Sequence, residues 1–127
     1  MATWEDVERI ALSLPETTTA ISRENRHWRV KDKSFVWERP LRRTDLQHLG
    51  DAAPDGPILG ARVEHEGAKR ALIESNPDIY FTTPHFDGYP AILARLEPLG
   101  EEELTELITE AWLNRAPKRL VAEFLKD

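Results

Sequence analysis

The sequence predicts an α+β fold: one domain spanning residues 1–127, with a largely antiparallel sheet and helices packed against it. Three observations carry this. Stretches such as "HWRVKDKSFVWER" and "ILGARVEH" alternate apolar and polar residues with period two, as half-buried strands do. They are interleaved with stretches of helical spacing, and the order contains no regular strand–helix–strand alternation of the kind a parallel sheet requires. A chain of 127 residues, 40% hydrophobic and 31% charged, has room for one core and no more.

The elements follow in order. Thr3 can cap a helix with Asp6 three residues on, and Val7, Ile10, Ala11 and Leu14 continue at helical spacing until Pro15 stops it. "TTTAIS" is β-branched and extended. "HWRVKDKSFVWER" forms a hairpin about "KDKS"; with Val30 opposite Phe35 and Trp28 opposite Trp37, those four side chains share one face, leaving His27, Arg29 and Lys31 on the other. That apolar stripe reads as core and not as a base-stacking platform. "LRRTDLQHLG" is a short helical turn capped by Thr44 and closed by Gly50, and "DAAPDGP" is a connector. "ILGARVEH" adds a strand with Leu59, Ala61 and Val63 on one face and Arg62 and Glu64 on the other. "AKRALIES" is a short helix ended by Asn76 and Pro77. "DIYFTT" and "PAILARL" are strands joined by "PHFDGY", with Phe81 and Leu93 turned inward. "EEEL" opens a helix striped by Leu104, Leu107, Ile108 and Ala111, its three glutamates at the positive end of the helix dipole. A last helix starts in "RAPKRLVAEFLKD" with Pro117 at its first position. Trp4 and Trp112 close the core.

Composition narrows the function. The absence of cysteine excludes disulfides, thiol chemistry and sulfur-ligated zinc, which suits a reducing compartment. "MATWEDVERIALSLP" has neither a basic n-region nor an apolar h-region, and no apolar run approaches the roughly 20 residues that cross a bilayer. A cytoplasmic location without membrane contact is the expectation. The net charge of −6 hides an asymmetry. Residues 23–43 hold eight basic side chains against three acidic ones, +5, while the remainder holds nine against twenty, −11. A basic island on an acidic body repels a polyanion everywhere but at the island.

Several segments together carry a family likeness. "ALSLPE", "WRVKDKSFVWERPLRR", "YFTTPHFDGYPAILARL" and "AWLNRAPKRL", in that order, resemble the MmcQ/YjbR-like family of small bacterial domains across nearly the whole chain. The resemblance implies an α-β(3)-α-β(2)-α architecture akin to secretion-chaperone-like, double-wing folds. It also implies a DNA-binding label, with no catalytic residues to carry over. The chain departs from the family at the hairpin tip, where the usual "GK" is replaced by Asp32 and Lys33.

Two candidate sites emerge. The first is basic: Arg29, Lys31, Lys33, Arg39, Arg42 and Arg43 on one exposed surface, joined by Lys118 and Arg119 at the start of the last helix. Cations there oppose the helix dipole and call for a negative partner, either Glu101, Glu102 or Glu103 or a phosphate. Its plainer explanation is a charged sheet edge that resists aggregation. The second is the aromatic loop, with His85, Phe86, Asp87 and Tyr89 as a pocket for a small molecule or protein. Asp87, Gly88, Pro84 and Pro90 also make it an ordinary turn. His85 and Asp87 could serve as a base and its orienter, but no nucleophile, cofactor motif or metal pair accompanies them. The four histidines stand 21, 17 and 20 positions apart, and GxSxG, P-loop and GxGxxG patterns are missing. The expectation is a binding domain without catalysis, cofactor or metal, monomeric or homodimeric, whose partner is DNA or another polyanion.

Overall fold

In the computed structural model, which describes residues 1–126, the chain opens with α1 (Trp4–Leu12). Asp127, the last residue of the expected domain span, lies outside the described residues. The capping box forms as the sequence predicts: the Asp6 amide donates to Thr3 Oγ1 at 3.3 Å and the Thr3 amide to Asp6 Oδ2 at 2.9 Å. Strands β1 (Thr17–Ser22), β2 (Asn25–Val30) and β3 (Lys33–Glu38) follow, then α2 (Arg43–Leu49), β4 (Ile58–Arg62) and α3 (Glu66–Ser75). The remainder is β5 (Tyr80–Phe81), β6 (Ala91–Arg95), α4 (Glu101–Arg115) and α5 (Lys118–Leu125). The six strands form one sheet in the order β1-β2-β3-β4-β6-β5, every pair antiparallel. The class is α+β.

One face of the sheet carries the main core. Trp28, Val30, Phe35, Val36, Leu59, Ala61, Ile92 and Ala94 pack there under α1 and α4, against Val7, Ile10, Leu104, Ile108 and Trp112. Trp4 stacks on Trp28 with ring centres 6.3 Å apart, and the Trp112 indole donates to Pro15 O at 3.1 Å, tying α4 to the end of α1. The opposite face is open along β2 and β3. Its smaller cluster of Trp37, Ile58, Phe86, Ala91 and Leu93 is flanked by Leu41 and Phe81. Leu93 is therefore buried as expected, but on this second face, with Phe81 half-buried beside it.

The hairpin register corrects the sequence reading. Trp28 lies opposite Val36 and His27 opposite Trp37, while Arg29 faces Ser34 and Val30 faces Lys33. Phe35 has no partner and forms a bulge, so Phe35 and Val36 both enter the main core and the alternation changes phase. Trp37 consequently leaves the stripe and lies on the open face.

Two helix starts also differ. Arg42, not Thr44, is the cap residue of α2, because Asp45 in the first turn accepts the Arg42 amide at 2.8 Å. Pro117 precedes α5 as its cap instead of occupying the first helical position. Gly50 closes α2 with φ of 56°, a backbone region glycine enters without strain.

Trp37 lies flat against β4 only because residue 60 lacks a side chain: a Cβ on Gly60 would collide with the indole. Gly60→Ala is expected to destabilise the fold by about 1–3 kcal/mol through overpacking. A urea titration read by tryptophan fluorescence checks this; an unchanged midpoint would show that Trp37 has room to move.

Candidate functional site

The open face holds a groove of about 630 Å³. Trp37 is in its lining at the base and stacks with His27 across the β2–β3 pair, ring centres 6.5 Å apart and 15° from parallel. His27 Nδ1 sits 3.3 Å from Ser34 Oγ. Burial, and then the Arg29 charge, hold the His27 imidazole below its ordinary pKa against the opposing pull of Glu38, which favours the neutral ring near pH 7. Phe86 and Tyr89 form one wall, with exposed His85 edge-on to Phe86.

Five arginines line this groove: Arg23, Arg39, Arg42, Arg62 and Arg115. Its single lining carboxylate among the described residues, Glu38, is already taken by Arg26, whose Nε and Nη2 donate at 3.1 and 2.9 Å. Arg39 is neutralised too. It is 4% exposed, pairs with buried Asp45 at 3.0 Å and lies over the Phe86 ring at 5.3 Å. Arg23, Arg42, Arg62 and Arg115 have no carboxylate within ion-pair distance among the described residues.

The aromatic wall is held by a buried amine. Lys69 of α3, 3% exposed, donates to Phe86 O at 2.7 Å and Tyr89 O at 3.1 Å, with Glu66 at 3.3 Å as its third partner. All three ammonium protons are used, so the connection from β5 to β6 is fastened from below.

The residues expected from the sequence disperse. Arg39 and Arg42 reach the groove, and Arg29 lies half-buried on the same face beside His27. Arg43 is exposed on α2. Lys31 turns away to pair with Glu16, whose carboxyl also feels Arg119, so the hairpin tip and the start of α5 share an acidic neighbour. Lys33 is exposed at the tip and Lys118 at the helix start. Arg39 is thus excluded from any exposed basic surface by burial, and Lys31 is engaged by Glu16. Arg119 is 3.8 Å from Glu123 on its own helix. Of the expected acceptors, Glu101 is engaged by Arg9 and Glu103 by the Tyr80 hydroxyl at 2.7 Å, and exposed Glu102 pairs with neither Lys118 nor Arg119 among the described residues.

The aromatic loop behaves differently. His85, Phe86 and Tyr89 border the same groove as Arg39 and Arg42, so the two candidate sites meet. Phe86 is a buried wall residue, 7% exposed, and not a free contact. Asp87 points to solvent, and His85 and Asp87 share no hydrogen bond among the described residues.

Sequence reasoning did not place Arg23, Arg62, Arg115, His27 or Trp37 in a site. The bulge that turns Trp37 to the open face has no residue signature, and Arg115 reaches the groove only through the path of α4. Lys69 was missed as well, although a signal existed: it precedes Leu72 and Ile73 by three and four positions and so falls on the inward stripe of α3.

Burial raises the Asp45 pKa, but the Arg42 amide, the Arg39 charge and the Thr83 hydroxyl outweigh it, and the net shift is downward. The ionised carboxylate therefore contributes stability above the ordinary carboxylate value, lost as pH falls through the depressed one. Arg39→Met would strand that charge, at about 3–5 kcal/mol near pH 7. The sign then reverses. An unpaired buried carboxyl has a raised pKa, so the penalty is expected to shrink as the pH is lowered toward about 4. Urea midpoints of both proteins at the two pH values check this, and a penalty independent of pH would refute it.

The chain has clear relatives. The YjbR family model matches residues 12–114. Uncharacterized proteins of Mycobacterium bovis and Mycobacterium tuberculosis are each 53% identical to it over 130 residues, spanning 100% of this chain and 98% of theirs. The crystal structure of a Deinococcus radiodurans protein with a DUF419 domain shares the fold, with a TM-score of 0.65, 18% identity, and coverage of 89% of this chain and 78% of that one. Matched through most of its length by the family model, and end to end by the mycobacterial proteins, this chain belongs to the YjbR family.

Proposed function

We propose that this protein is a cytoplasmic, non-enzymatic DNA-binding domain that uses the arginine-lined groove, and not the hairpin tip, as its contact surface. One observation carries the reading: four arginines without carboxylate partners among the described residues converge on a groove with aromatic walls. Guanidinium groups match phosphate geometry, and an aromatic groove favours unpaired bases that can stack. Single-stranded DNA fits better than duplex, whose bases are already stacked. Tyr89, 47% exposed, exposed His85 and the half-buried His27 are the rings a base can reach. The surroundings reinforce the choice. A second cleft, about 490 Å³ between α3 and α4, is bordered by Glu64, Glu103, Glu106 and Glu110 and repels phosphate.

A second reading draws on the same walls. The aromatic loop and the arginines share one groove, so a small planar anion could occupy it without any polymer. Chain length separates the two, because a polymer gains affinity with each added phosphate contact and a small ligand does not.

Anisotropy titrations of labelled single strands at two salt concentrations test the proposal. If the four free arginines each neutralise about one phosphate charge, the log–log salt slope is expected near −3, from about −0.7 per contact. Arg23→Ala with Arg42→Ala should reduce its magnitude by roughly 1.4 while changing base preference little. No binding at low salt, or an affinity indifferent to salt, would overturn the proposal.

A further inference from the structure

Arg62 and Arg115 stand apart from the other groove arginines because both are half-buried in its lining without a carboxylate partner among the described residues. Arg62 ends β4 and Arg115 ends α4, and both line the groove with Tyr89, where the Arg62 guanidinium lies 4.9 Å over the ring. Burial, and next the Arg62 charge, hold the Arg115 guanidinium below its ordinary pKa, with Tyr89 opposing. The Nε–H groups of both are enclosed and have no acceptor among the described residues. Neither is within ion-pair distance of a carboxylate there, although Arg62 also borders the acidic cleft between α3 and α4. Two like charges are thus held together, partly desolvated, with their hydrogen-bonding capacity unmet by the protein. Such an arrangement is unfavourable until an anion enters it.

The charge of that anion follows from the count. An internal phosphodiester carries one negative charge, whereas a phosphate monoester carries about 1.5 to 2 near pH 7 and offers three acceptor oxygens. Two adjacent guanidiniums match the second. We infer that Arg62 and Arg115 form a seat for a phosphate monoester, the terminal phosphate of a DNA strand lying in the groove. This rests on the DNA-binding reading, and it adds the recognition of a strand end. Tyr89, beside the seat and half-exposed, is placed to meet the terminal base.

One strand prepared with a 5′-hydroxyl, a 5′-phosphate or a 3′-phosphate provides the test, by competition anisotropy at fixed salt. One phosphorylated form is expected to bind about tenfold more tightly than the hydroxyl form, a gain of about 1.4 kcal/mol. Arg115→Gln and Arg62→Gln should each collapse that ratio toward one, whatever loss they impose on both strands, and melting temperatures near wild type would exclude misfolding. The ratio is the readout because a merely structural role would weaken both strands alike. Equal, measurable binding of all three strands overturns the seat and leaves the DNA-binding reading standing. Absence of binding by any strand at low salt, with no thermal shift from inorganic phosphate or a nucleoside monophosphate, overturns both. A thermal shift from those small monoesters, lost in Arg115→Gln, with no strand binding, overturns the DNA-binding reading and the strand end, and leaves a seat for a free phosphate monoester.

Discussion

One unpaired residue in β3 decides what each face of the sheet can do. With Phe35 bulged, two consecutive side chains enter the main core, and every position after them changes sides. Trp37 is thereby moved to the open face, where it stacks with His27 and fits against the bare backbone of Gly60. A regular hairpin would place Trp37 beneath the helices and turn Val36 with Glu38 to the open face. The groove would then lack its aromatic base, with the smaller Val36 in place of Trp37, and its arginines would project from a flatter surface.

The walls depend on two buried charges. Arg39 with Asp45 secures the start of α2 against the Phe86 ring, and Lys69 fastens the β5–β6 connection through main-chain oxygens. Buried charges offer little net stability, since desolvation offsets most of the attraction, but they are exacting about geometry. That trade suits a recognition surface. Apolar packing would hold these segments as firmly while allowing them to slide, whereas Lys69 meets Phe86 O and Tyr89 O at hydrogen-bond distance only in one arrangement of the loop.

The start of α1 and strand phases far from irregularities were legible in the sequence, because a reciprocal capping box and period-two burial are local, whereas the caps of α2 and α5 were misplaced. Thr3 with Asp6, the inward set Leu59, Ala61 and Val63, and the α4 stripe all lie where spacing puts them. The site was half legible. Arg39, Arg42, His85, Phe86 and Tyr89 were singled out, but as two separate places, because their convergence depends on how β3, α2 and the β5–β6 connection meet in space. A charge count along the chain also cannot tell a paired guanidinium from a free one. Arg39 and Lys31 are among the island's cations, yet Asp45 and Glu16 occupy them. Arg115 sits in the acidic remainder of the sequence and carries no carboxylate partner among the described residues.

Net charge and site charge are therefore decoupled in this protein, and the decoupling has an energetic meaning. The chain carries −6 overall, so the long-range field of the body opposes an approaching polyanion, and that opposition weakens as salt screens it. Within the groove the local field has the other sign, and Trp37, Phe86 and Tyr89 displace the water that would otherwise screen it. Attraction of this kind acts over a few ångströms, inside the Debye length, so salt moderates it through displaced counterions more than through screening at a distance. A ligand must accordingly reach the groove before it is held. This selects for thin, flexible anions that can enter along the open face over broad ones that would meet the acidic surroundings first.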